Sequence, residues 1–96
     1  MSTENEQKLL AWVGQRIRAI RAEQSLNLDQ LARLTGISAP ALSLIETGKR
    51  DARLTTVARI AVALRVSLST LLEDASPGRD AKTKDASQGY DLGEYL

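Results

Sequence analysis

The run LDQLARLTGISAPALSLIETGKR, from Leu28 to Arg50, constrains this chain more than any other segment. Ala32, Gly36, Ile37 and Ile45 fall where two short helices packed across a tight turn need small, flexible or aliphatic residues. Each helical stretch is too short and too polar to make a core by itself, so Thr35, Gly36 and Ile37 must join the two at a fixed angle. That layout is the one by which a helix-turn-helix presents its second helix to the major groove of DNA.

The flanking sequence supplies the helices against which this pair can pack. Thr3 and Glu6 have the spacing of a capping box, and Leu10, Val13, Ile17 and Ile20 recur with helical period up to about Gln24. Gly14 inside this helix costs about 1 kcal/mol relative to alanine, so residues 4 to 13 form either an extension of helix 1 or a separate short helix. Asn27 with Gln30 reads as the cap of helix 2, Leu28 to Thr35. Ser38 caps helix 3, whose first turn tolerates Pro40 because no needed N–H is lost there; it runs to about Thr47 and ends at Gly48. Leu54, Val57, Ile60, Ala61 and Leu64 define helix 4, and Ser67 caps a last short helix over Leu68 to Glu73. No segment alternates for long enough to predict a strand. The expected class is all-α, a compact five-helix domain.

Composition narrows the chemistry. The 96 residues contain no cysteine and no histidine, which removes disulfides, thiolate metal sites, the commonest general base and the commonest metal ligand. No catalytic residue, metal or cofactor is therefore expected, and the chain does not read as an enzyme. No apolar run approaches the ~18 residues of a membrane span, and MSTENEQK is polar rather than a signal peptide; a cytoplasmic protein, associated with the nucleoid through DNA, is expected. The net charge is only +1. Its distribution is more informative: residues 13 to 75 carry nine basic side chains against six acidic ones, so the globular part is mildly basic. Trp12, Tyr90 and Tyr95 are the only aromatic residues, which argues against base stacking on single strands.

Residues 1–13 are expected to extend helix 1, 14–74 to form the helix-turn-helix domain, and 75–96 to form a flexible tail rich in Ser, Gly, Asp, Lys and Ala. The tail ends in YDLGEYL, where Tyr90, Leu92, Tyr95 and Leu96 stand among acidic residues, a pattern suited to binding a protein partner at Tyr90 to Leu96.

Four motifs carry a family resemblance. They are Gly14-x-x-Ile17-Arg18-x-x-Arg21, Leu31-Ala32-x-x-Thr35-Gly36-Ile37-Ser38, Leu42-Ser43-x-Ile45-Glu46-x-Gly48-Lys49-Arg50, and the spacing from Leu54 and Thr56 to Leu71 and Leu72. Together, over about residues 14 to 73, they resemble the Cro and phage-repressor (XRE) family. The resemblance implies a lambda-repressor-like domain that binds double-stranded DNA as a homodimer. Helix 3 of each subunit would enter successive major grooves of a near-palindromic operator, with half-sites about 34 Å apart. It also implies that Arg21 and Glu46 form a partly buried ion pair orienting helix 3; the alternative is two solvated surface charges.

By family position, phosphates would be met by the backbone of Asn27 and Leu28, then by Thr47, Lys49, Arg50 and Arg53, while bases would be read by Ser38, Ala39, Pro40, Ser43 and Leu44. Those readers are unusually poor in hydrogen-bonding groups. Either specificity comes from thymine methyls and DNA shape, or the helix 3 surface serves a protein. Arg59 and Arg65 read as solvated, and Trp12 as a packing or dimer-contact residue.

Transcriptional regulation, by repression, is the primary functional reading. An antitoxin that binds its own operator and a toxin is the alternative, because the loop before helix 4 lacks the proline that many repressors carry there and resembles antitoxins paired with kinase-like toxins. A restriction–modification controller is disfavoured because those resembling this chain stop near the end of helix 5. From a different class, helix 1 with Leu9, Trp12 and Val13 exposed would serve assembly without DNA.

Overall fold

Aliphatic side chains alone fill the interior. Ile17, Leu31, Leu42, Ile60, Leu64 and Leu71 are fully buried, and each is worth about 1.5–3 kcal/mol relative to leaving it exposed. The computed structural model describes residues 3–73, and each of its helices contributes at least one of these six. The elements are α1 (Thr3–Glu23), α2 (Leu28–Thr35), α3 (Ala39–Glu46), α4 (Leu54–Leu64) and α5 (Leu68–Leu72). Among the described residues there is no strand, and no helix is long and apolar enough to cross a membrane.

Local chemistry sets the boundaries. Asn27 and Gln30 make a reciprocal box: Asn27 Oδ1 accepts the Gln30 N–H at 2.7 Å and Gln30 Oε1 accepts the Asn27 N–H at 2.8 Å. Ser38 Oγ accepts the Ala41 N–H at the start of α3, and Ser67 Oγ accepts the Thr70 N–H at the start of α5. Thr3 is itself helical in α1, so it does not cap the helix as the Thr3 and Glu6 spacing predicts. Helices α3 and α5 each stop one residue earlier than the sequence pattern suggests, at Glu46 and Leu72, within the fraying expected at helix ends. The tail from 75 to 96, including Tyr90 to Leu96, lies outside the described residues.

Helix α1 is continuous through Gly14, so residues 4 to 13 are not a separate helix. The glycine is there because α1 crosses the end of α3 at backbone contact. A Cβ on Gly14 would lie 2.5 Å from the carbonyl oxygens of both Ile45 and Glu46. The propensity cost of this glycine is the cost of the close approach.

Two side chains of α1 clasp α5. Arg16 donates from Nε and Nη2 to the Thr70 carbonyl at 3.3 and 3.1 Å and lies 3.7 Å from the Glu73 carboxylate. The Trp12 ring sits 5.9 Å from the Arg16 guanidinium, and its Nε1 donates to the Glu73 carbonyl at 2.6 Å. Trp12 is thus half-buried in packing and Val13 belongs to the core. This corrects the picture of an exposed Leu9, Trp12 and Val13 surface: of the three only Leu9 is exposed.

Replacing Gly14 by alanine separates the two effects at this position. Helix propensity alone would stabilise the chain by about 1 kcal/mol, whereas the clash with two carbonyls predicts a net loss of about 1–3 kcal/mol. A thermal melt should therefore show a lowered midpoint for Gly14→Ala, and a raised one would contradict the packing described.

Candidate nucleic-acid interface

The position of α3 is set at both ends. On its N-terminal side, Gly36 closes α2 in the left-handed region at φ 77°, and the buried Thr35 hydroxyl donates to the Leu31 carbonyl at 2.8 Å while accepting the Ile37 N–H at 3.1 Å. The turn into α3 is therefore held by a side chain as well as by backbone. On its C-terminal side the chain makes a Schellman motif: the Gly48 N–H bonds the Ile45 carbonyl at 3.1 Å and the Lys49 N–H bonds the Leu44 carbonyl at 2.9 Å. Gly48 has φ 75°, and a Cβ on it would lie 2.9 Å from Ala11 Cα of α1. The loop from Lys49 to Arg53 consequently leaves α3 in one defined direction.

Arg21 and Glu46 add the ionic part of this fixation. Arg21 Nε and Nη2 reach the two oxygens of the Glu46 carboxylate at 2.7 and 3.0 Å, and Nη1 donates to the Leu26 carbonyl at 2.7 Å. One guanidinium thereby ties together the end of α1, the loop entering α2 and the last residue of α3. The side chains are only 14% and 4% exposed, so this is a buried, bidentate pair rather than two solvated charges. The hydrogen bond from Arg21 to Glu46 holds the guanidinium above its ordinary pKa against the opposing effect of burial. Stability carried by that raised pKa is fully present below the ordinary value and is lost only as pH rises beyond it.

Around this fixed helix the remaining side chains sort by exposure. Leu42, Ile45 and Glu46 are buried, whereas Pro40 and Leu44 are exposed, Thr47 is exposed at the C-cap, and Ser43 is half-buried. Positions 40, 43, 44 and 47 have the i, i+3, i+4, i+7 spacing of a single helix face, so Pro40, Ser43, Leu44 and Thr47 form the outward stripe of α3. Ser38 is exposed at its N-cap and Ala39 half-buried beside it. Thr47 returns its hydroxyl proton to the Ser43 carbonyl at 2.9 Å, leaving oxygen lone pairs as its outward function.

At the start of α2 the capping box occupies the Gln30 N–H, and the Leu31 N–H closes the first helical bond to Asn27. The N–H groups of Leu28 and Asp29 are then the first-turn donors that neither the capping box nor the helical ladder uses, at the positive end of the helix. Leu28 packs its side chain on the core and offers backbone only. Lys49, Arg50 and Arg53 are exposed in the loop after α3, and Arg53 caps α4 without using its side chain. Sequence spacing marks Gly14 and Gly48 as members of family motifs, Gly14 at a propensity cost and Gly48 as a helix stop, without giving the packing reason for either. Their shared role against α1 and α3 shows only in three dimensions.

Comparison with known proteins agrees with this geometry. A helix-turn-helix family model, HTH_3, matches residues 17–71. The chain is 38% identical over 63 residues to the HTH-type transcriptional repressor RghR of Bacillus subtilis, covering 65% of this chain and 47% of that protein. It is 34% identical over 80 residues to the uncharacterized HTH-type transcriptional regulator RghRB of the same organism, covering 80% of this chain and 58% of that one. The chain thus spans about half the length of these relatives. Among solved structures, the restriction-modification controller protein C.AhdI of Aeromonas hydrophila superposes with a TM-score of 0.63 at 31% identity, over 65% of this chain and 94% of the controller. A hypothetical transcription factor, NHTF, from Neisseria gives a TM-score of 0.69 at 27% identity, over 80% of this chain and 86% of its own.

Breaking the Arg21–Glu46 pair tests its weight. Glu46→Ala leaves a buried guanidinium without its acceptor and should cost about 3–5 kcal/mol in urea unfolding. The double variant Arg21→Met with Glu46→Leu should recover most of that loss. A loss below about 1 kcal/mol for Glu46→Ala would be the behaviour of a surface pair and would contradict the account.

Proposed function

Because the chain belongs to the HTH_3 helix-turn-helix family, we propose that it binds double-stranded DNA in a sequence-specific way and regulates transcription by occupying an operator. The observation that carries this reading is the outward α3 stripe, in which Pro40, Leu44 and Thr47 are exposed and Ser43 is half-buried, flanked by the uncapped N–H groups of Leu28 and Asp29 and by three exposed cations after α3. Phosphates need such donors and cations, and they set affinity and register. Base edges need a rigid helix between them. The Arg21–Glu46 pair supplies that rigidity.

The readers on α3 determine what kind of specificity is possible. Ala39, Pro40 and Leu44 offer apolar contact suited to thymine methyl groups, and Ser38 and Ser43 offer hydroxyls. None can make the bidentate contacts to guanine or adenine that are worth about 1–3 kcal/mol each. We therefore assign much of the discrimination to methyl contacts and to sequence-dependent DNA shape. The chain would act as a homodimer on a near-palindromic site with half-sites about 34 Å apart.

Repression is the favoured direction of control, supported by the likeness to a protein named a repressor. The Aeromonas controller consists almost entirely of the unit that this chain shares with it, which supports the five helices as a working regulator by themselves. A toxin partner at Tyr90 to Leu96 concerns residues outside the described ones, and no observation on residues 3–73 favours it.

An electrophoretic mobility shift on the DNA upstream of this chain's own gene tests the proposal. The parent protein should give a salt-sensitive shift. Lys49→Ala with Arg50→Ala should weaken it on every sequence and flatten the dependence of log K on log salt by about one for each phosphate contact removed. A double variant that binds like the parent would overturn the assignment of these residues.

A further inference from the structure

An apolar groove lies between the N-terminal half of α1, the loop after α3, the start of α4 and the end of α5. Leu9 and Val13 of α1, Arg50, Asp51 and Ala52 of the loop after α3, Leu54 of α4 and Leu72 of α5 are among the residues that line a cavity of about 190 Å³. Leu9, Leu54 and Leu72 are 41%, 64% and 44% exposed, so the groove has no occupant within residues 3–73. Its volume exceeds the ~150 Å³ that holds a benzene ring in an apolar protein cavity. It fits one aromatic side chain with an aliphatic neighbour.

We propose that this groove is the docking site of the chain's own Tyr90–Leu96 segment, which there competes with DNA for Arg50. The docking stands without the DNA-binding reading; the competition rests on it.

Three observations favour this occupant. First, the chain leaves the five-helix unit at the groove itself: Leu72 lines it, and the next residue, Glu73, is held to α1 through its carbonyl by Trp12 Nε1 at 2.6 Å. Residues 74 to 89, at no more than about 3.3–3.6 Å each, are ample to bring Tyr90 back. Second, the segment has the right chemistry. It holds both tyrosines of a chain without phenylalanine, together with Leu92 and Leu96. Its Asp91 and Glu94 are acidic, and the loop beside the groove carries Lys49, Arg50 and Arg53 against Asp51, with Arg50 and Asp51 in the lining itself. Third, ten residues line the groove, well short of the roughly 20–30 residues a side that a stable interface between separate molecules uses. A tethered segment escapes that demand, because a short linker gives an effective concentration near the millimolar range.

The consequence is a built-in brake. Arg50 cannot serve an acidic side chain in the groove and a DNA phosphate at once, so undocking of the segment would favour DNA and DNA would favour undocking.

The test uses full-length protein with labelled leucine methyl groups, comparing the parent with a Leu92→Ser, Tyr95→Ser variant. In the parent, the Leu9, Leu54 and Leu72 methyl signals should be displaced by a tyrosine ring current, independently of protein concentration, and the variant should lose that displacement. In mobility shifts the variant should bind DNA roughly 5-fold or more tightly, and Leu54→Ser, at an exposed groove position, should reproduce the gain. Identical methyl signals in parent and variant would overturn the docking. A displacement that grows with protein concentration would assign the groove to a second copy and overturn it equally. Docking with unchanged DNA affinity would overturn the competition alone, whereas absence of DNA binding in every variant would refute the regulator reading and leave the methyl result to decide the docking.

Discussion

Everything in the working part of this molecule depends on how closely α1 crosses the end of α3. Gly14 lets the backbone of α1 rest on the carbonyls of Ile45 and Glu46, and Gly48 lets the chain after α3 pass against Ala11. Two missing side chains thus bring two backbones together. At that distance Arg21, two turns further along α1, reaches both oxygens of Glu46 and the Leu26 carbonyl with one guanidinium. A longer spacing would leave a carboxylate buried without its partner, which costs far more than the pair contributes.

This arrangement divides the labour between buried and exposed residues. α3 has only eight residues, too few to be stable alone in water, and it cannot aim its outward stripe without external support. Leu42 and Ile45 supply apolar support and Glu46 supplies ionic support. The stripe itself is then free to be chosen for recognition. Under the proposed function its small and apolar side chains would favour methyl and shape readout, and the cations of the following loop would provide register and affinity.

Much of this was legible in the sequence, for physical reasons that are local. The boundaries of α2, α3 and α4 follow from capping chemistry at Asn27 and Ser38 and from helical periodicity, and each of these acts within a few residues. The motif around Thr35 and Gly36 identifies the turn because only certain residues satisfy its backbone. What the sequence hid is long-range. The reason for Gly14, the approach of Gly48 to Ala11 and the clasp of Trp12 and Arg16 on α5 each join residues far apart in the chain, and none follows from spacing. The burial of Val13 is a further case, since periodicity placed it on an apolar face without saying what would cover it. Within the candidate interface, the residue types were readable, but their sorting into an outward stripe and a buried face needed the register of α3.

The central claim is that the outward side of α3, with the start of α2 and the loop after α3, meets duplex DNA on a frame held by α1. Amide-resolved NMR of the full chain titrated with duplex DNA from upstream of its own gene tests it most directly. The account predicts perturbations concentrated at Asn27 to Asp29, Ser38 to Leu44 and Lys49 to Arg53, with Val62 near the end of α4 and Arg65 at its C-cap left unchanged. Perturbations centred on Val62 and Arg65, with α3 silent, would contradict it.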